Sequence, residues 1–180
     1  MEKINEIRNL TNELMSRDFN IVDARGRQHI LNAKNIGYVF EFHNKKRAFG
    51  TCYYNKKVIS LSLPLCRENL DKIHTNIRNT ILHEIAHAFS YQLYGSDGRG
   101  HDYKWKNIAK QIGCNGERCF NGEEVNRPQS KYSLVCDNCG HQSPRYKIIK
   151  KQYACSKCCN QYNGGRYSEK YKLRFVQNFH

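Results

Sequence analysis

The chain has 180 residues, room for one compact domain plus a small appendage. No stretch approaches the roughly 20 consecutive apolar residues of a membrane span, so a protein embedded in a bilayer is not expected. Thirty Lys and Arg against sixteen Asp and Glu give a formal charge of +14, which points toward polyanionic partners.

That charge is uneven. Residues 127–180 hold eleven Lys/Arg and two Asp/Glu, while residues 1–126 hold nineteen and fourteen. Nine cysteines in a chain without a secretory pattern suggest metal binding or free thiols before disulfides. An intracellular, reducing compartment is expected, cytoplasm or nucleoid or nucleus depending on the organism.

In chain order, MEKINEIRNLTNELMSRDF reads as an amphipathic helix, and residues 20–35 give little signal. Three alternating runs follow, about 36–42, 47–54 and 57–63. Their β-branched and aromatic residues predict an antiparallel meander, with Asn55-Lys56 as a two-residue turn and Pro64 as a stop. Residues 68–93 predict one long helix, starting at Asn69 or Asp71 and ending before Gly95. A further helix is expected from Asp102 to Ile112, closed by Gly113. Residues 113–130, with three glycines and a proline, look like a connection between two domains. Beyond Lys131, YSLV, YKIIKKQYA and YKLRFV predict short strands around cysteine-bearing turns.

On a helical wheel at about 100° per residue, Ile77, Ala88, Ile81, Ile85, Phe89 and Leu82 form an apolar stripe. His83 and His87 fall near 240° and 280°, opposite that stripe, with Asn76, Thr80 and Tyr91. Side chains four apart on a helix face stand about 5–6 Å from each other, so two imidazoles can reach one ion. Glu84 lies beside them, placed to take a proton from a metal-bound water. A helix offers only two neighbouring ligands, and His101, behind Gly95, Gly98 and Gly100, is the natural third. Three histidines with an open fourth position describe a catalytic rather than a structural zinc site. His29, His43, His74, His141 and His180 have no such company and are read as surface residues.

A second constellation is Cys136-x-x-Cys139-Gly, fifteen residues, then Cys155-x-x-Cys158, the spacing of a zinc ribbon. Four thiolates close the coordination shell, so this zinc is structural. Cys159 competes with Cys158, and the pair spacing favours Cys158. Cys52, Cys66, Cys114, Cys119 and Cys159 read as small buried hydrophobes. Around the ribbon, Lys147, Lys150, Lys151, Lys157, Arg166, Lys170, Lys172 and Arg174 are interleaved with tyrosines, Tyr146 and Tyr153 among them. Cations for phosphates and rings for stacking suit single-stranded or distorted DNA. The alternative is a tyrosine core under solvated lysines.

HEIAH at 83–87, Gly100-His101 and Trp105, with RAFGTCYYNKKVISLSLPL upstream, resemble the SprT-like zinc metallopeptidases. That family includes Spartan-type proteases acting on DNA–protein crosslinks. The resemblance covers about residues 2 to 175 and is strongest over 80 to 105; Asp102 departs from it, standing where many relatives have Gly. It implies an α+β fold, with a minimal zincin-like metallopeptidase domain at 1–126 and a basic zinc-ribbon domain at 127–180. It maps His83, His87 and His101 onto the catalytic zinc ligands and Glu84 onto the general base. Tyr91 and Tyr103 are both candidates to stabilise the oxyanion. The expected protein is thus a two-zinc, monomeric protease of DNA-bound proteins. Two other readings stand beside it: an inert or regulatory DNA-binding zinc protein, which the intact Glu84 disfavours, and a protease of soluble proteins with a purely structural ribbon.

Overall fold

The computed structural model describes residues 2–117 and 125–178. Cys119 and His180 lie outside the described residues. The chain forms two compact units, Met1–Pro128 and Gln129–His180, a border two residues beyond the one read from composition. Among the described residues, no helix is long and apolar enough to cross a membrane.

The first unit opens with α1 (Glu2–Ser16), which buries Ile7, Leu14 and Met15. Next comes a hairpin that the polar sequence of 20–35 hides, β1 (Phe19–Val22) and β2 (Gln28–Leu31). Its turn is built by one side chain. Asp23 accepts from the backbone N–H groups of Arg25 and Arg27 and from the side chains of Arg27 and His29, and Gly26 takes φ 78°. Asp-x-x-Gly was the available signal.

The second sheet is not the meander that the sequence predicts. It contains β3 (Val39–His43), β4 (Gly50–Tyr53) and β5 (Val58–Ser62) in the order β3-β5-β4. β5 pairs antiparallel with β4 but parallel with β3. The most apolar strand takes the centre: Ile59, Ser60, Leu61 and Ser62 are all buried, whereas Val39 and Glu41 of β3 are exposed. β4 thereby becomes an edge strand. Asn55-Lys56 lies at the tip of the β4–β5 hairpin, but the connection runs over residues 54–57 rather than two residues, with Lys57 in the left-handed region at φ 51°.

The single long helix also needs correction. Ser62 caps α2 (Leu63–Glu68), with Pro64 in its first turn. Asn69 then ends this helix instead of starting one. Its Nδ2 bonds the carbonyls of Leu65 and Asn126, and its Oδ1 accepts from Asn126 N–H. Such local bonding competes with helix continuation. A π-helical turn at Ile73–Ile77 leads into α3 (Arg78–Tyr94), closed by Gly95 at φ 61°. Thr80 to Ser90 are buried apart from half-buried His83, so both faces of α3 lie inside the unit. Asp102 caps α4 (Tyr103–Gln111) by accepting from Lys104 and Trp105 N–H.

In the second unit, β6 (Tyr132–Cys136) sits between β7 (Gln142–Arg145) and β8 (Leu173–Gln177), antiparallel to both. The expected strand at 146–154 is absent apart from a bridge at Ala154, and QSPR takes its place on the edge, where Pro144 costs no ladder bond. A short helix, α5 (Ser156–Tyr162), follows Cys155 directly.

Asn69 is fully buried, so Asn69→Ala removes the buried amide that ties the end of α2 to the Asn126 backbone. It is expected to lower the unfolding free energy by about 1–3 kcal/mol. A urea midpoint equal to that of the parent chain would show that the bracket does not stabilise this unit.

Candidate functional site

α3 presents His83 and His87 one turn apart, and the loop after its C-cap returns His101 to them. Nε2 of His101 lies 2.9 Å from Nε2 of His83 and 3.0 Å from Nε2 of His87. The three ligand atoms lie within 4.8 Å of one another. A tetrahedral ion with bonds of about 2.05 Å separates its ligands by roughly 3.3 Å, close to this spacing. Trp105 is wholly buried against all three rings, with centroids at 4.6, 5.3 and 4.6 Å from His83, His87 and His101.

The rings of His83 and His87 are kept neutral, the form that binds metal. Burial, reinforced by neighbouring imidazoles, pushes His83 down to about 4 and His87 to about 3. A backbone hydrogen bond with Glu117 partly opposes the shift at His83. His87 Nδ1 meets Tyr54 Oη at 3.2 Å.

Glu84 is 6% exposed. Burial pushes its carboxyl up to about 8, opposed by a hydrogen bond from the backbone of Cys52. Its position depends on Gly50. A Cβ there would stand 2.5 Å from Glu84 Oε1 and 2.8 Å from the Thr80 methyl. A glycine inside a predicted strand signals such close approach, a signal the sequence reading did not use.

These side chains open into a cavity of about 460 Å³ lined also by Gly50, Thr51 and Cys52 of β4 and by Asn79, Asn115 and Glu117. Asn79 and Asn115 bond reciprocally, Asn115 N–H to Asn79 Oδ1 at 2.9 Å and Asn79 Nδ2 to Asn115 Oδ1 at 3.1 Å. Arg47, Arg99 and Arg127 also line the cavity. Neither expected oxyanion candidate lines this cavity; Tyr103 is exposed, and Tyr54 occupies the wall instead.

In the second unit, Cys136, Cys139, Cys155 and Cys158 converge. Cys136 and Cys158 sulfurs lie 3.8 Å apart, and those of Cys139 and Cys155 lie 3.6 Å apart. A tetrahedron with bonds of about 2.3 Å has edges of roughly 3.8 Å, whereas a disulfide requires about 2.05 Å. Gly140, at φ 69°, closes the first knuckle through its N–H to the Cys136 carbonyl. Cys158, not Cys159, joins the group, and Cys159 is buried beside it. Cys66 and Cys114 are buried as expected, while Cys52 is half-buried. Among the described histidines read as surface residues, only His74 is exposed; His29, His43 and His141 are half-buried, and burial pushes the pKa of His43 down.

Lys147, Lys150, Lys151, Lys157, Arg166, Lys170, Lys172 and Arg174 are all exposed, as is Tyr153, whereas Tyr146 is half-buried. The ribbon's tyrosine core reduces to Tyr171, since Tyr162 and Tyr167 are exposed too. Lys172 and Arg174 are tied to Glu169 and Asp137.

A family model described as the SprT-like family matches residues 19–127. The chain belongs to the SprT-like family. It is 28% identical over 116 residues to Protein SprT of Pseudomonas entomophila (strain L48), covering 61% of this chain and 69% of the relative. To Protein SprT of Pseudomonas putida (strain GB-1) it is 27% identical over the same span and coverage. No solved structure matches. Family membership and the histidine group together support a metallopeptidase-like role, and both ligand groups have the donors and spacing of zinc sites.

Metal analysis of the purified chain is expected to find two zinc ions, one lost in His83→Ala and the other in Cys136→Ala. A single ion in the parent chain would remove one of the two sites.

Proposed function

We propose that this chain is a zinc metalloendopeptidase that cleaves proteins bound or crosslinked to DNA, the basic zinc ribbon contacting the nucleic acid. One observation carries the catalytic part: a buried carboxylate beside three converging imidazoles, all facing a cavity open to substrate. Zinc held by His83, His87 and His101 would supply a Lewis acid for the peptide carbonyl and lower the pKa of a water to about 7.

The chain's own groups do the rest. Burial raises the proton affinity of Glu84; in its ionised form, which a cation held by the histidines would favour, it would take a proton from water more readily than an ordinary carboxylate does. Its conjugate acid then returns that proton to the leaving amine. The reciprocal bonds of Asn79 and Asn115 fix the part of the cavity lining that they form. β4 is an edge strand that lines the cavity through Gly50, Thr51 and Cys52. An extended peptide can pair with such an edge through main-chain bonds, which suits substrates of varied sequence.

Exposed cations and Tyr153 on the ribbon support contact with phosphates and unstacked bases, with no sign of base-specific readout. Tethering to DNA would then select substrates by location. The thiol-rich composition suits a reducing intracellular compartment, and a monomer suffices because each ligand set comes from one chain.

The test is cleavage of a DNA-binding protein with and without single-stranded DNA. The parent chain should cut faster with DNA present, while Glu84→Gln should keep both metals and its fold but lose about 10²–10⁴-fold in rate. Unchanged cleavage by Glu84→Gln would remove the base assignment, and indifference to DNA would leave a protease without the nucleic-acid role.

A further inference from the structure

Tyr54, just beyond β4, has one hydroxyl and two partners far away in the chain. Its Oη lies 3.2 Å from His87 Nδ1 and 3.1 Å from the backbone carbonyl oxygen of Arg99. A carbonyl can only accept, and a phenol has one proton to give. The Tyr54 proton therefore goes to Arg99, and the bond to His87 is donated by the ring's own Nδ1–H. A neutral ring protonated at Nδ1 carries its lone pair on Nε2, the nitrogen that faces His101 at 3.0 Å.

The same side chain holds the loop that bears His101. The Arg99 guanidinium lies over the rings of Tyr54 and Tyr91, 5.6 and 5.3 Å from their centroids, and those rings are 4.7 Å apart. One residue earlier, Gly98 is packed so closely on α3 that a Cβ would overlap the Ser90 carbonyl. His101 is two residues from Arg99, so little slack remains between this clamp and the ligand.

We propose that Tyr54 is a positioning residue for the histidine metal site: it sets the tautomer of His87 and anchors the His101 loop, so that two of the three ligands are prepared before metal arrives. This inference rests on the reading that His83, His87 and His101 hold a metal. Outer partners that orient ligating histidines typically contribute about 10–100-fold in metal affinity.

The test uses the full chain. In the metal-free parent, long-range proton–nitrogen NMR should show His87 protonated at Nδ1. An Nε2–H tautomer there would overturn the proposal without any variant. Tyr54→Phe keeps the ring, and it should lose the Nδ1–H preference and bind zinc at the histidine site about 10–100-fold more weakly in chelator competition. Its cysteine-bound zinc should be unchanged, and the metal-free chain should still unfold cooperatively with only a modest drop in melting temperature. Tyr91→Phe, which keeps the stack and has no bond to His87, should match the parent in both readouts. Parental tautomer and affinity in Tyr54→Phe would sink the positioning role alone. A parent chain that binds zinc only through cysteines would sink the metal reading and this inference with it.

Discussion

The polar face of α3 is buried, and the first unit is built around that constraint. His83, Glu84 and His87 face the interior, where a polar group without a partner costs about 1–3 kcal/mol or more. Their partners come from well-separated parts of the chain: Tyr54 and the Cys52 backbone from β4 and its turn, His101 from the loop after α3, and the Glu117 backbone beyond α4. A surface helix would need none of these. Their joint presence makes the cavity a built site rather than a gap in packing.

Close approach is bought with glycine. Gly50 lets an edge strand lie against Glu84 and Thr80, and Gly98 lets the His101 loop lie against Ser90. Trp105 fills the space beneath the imidazoles, so the rings cannot tilt away from one another without opening a void. In the second unit the same logic runs with sulfur. Gly140 turns the first knuckle, the second opens α5, and four thiols complete a shell with no position left for substrate. The two ligand groups therefore suit different tasks, one open to chemistry and one closed around structure.

Much of this was legible in the sequence because it depends on short spacings. The i, i+4 histidines, the adjacent glutamate, the glycine-flanked His101 and the paired C-x-x-C knuckles are local patterns, and the structure brings their side chains together. What stayed hidden depends on pairs far apart. Tyr54 and His87 are 33 residues apart, with no periodicity linking them. β5 lies between β3 and β4, and pairs in parallel with β3, where burial favours the most apolar strand in the centre, a competition that alternation within single strands does not reveal. Asn69 looked like a helix start because asparagine favours caps. Its side chain serves the end of α2 and the returning segment at Asn126 instead. The Asp23 hairpin was masked by its own polar turn.

The central claim is that three imidazoles converge on a metal with one position open, separately from a closed sulfur site. X-ray absorption at the zinc edge of the full, metal-loaded chain tests it most directly. The account predicts a nitrogen/oxygen shell at about 2.0–2.1 Å with imidazole scattering, together with a sulfur shell at about 2.3 Å. A spectrum described by sulfur alone would contradict it.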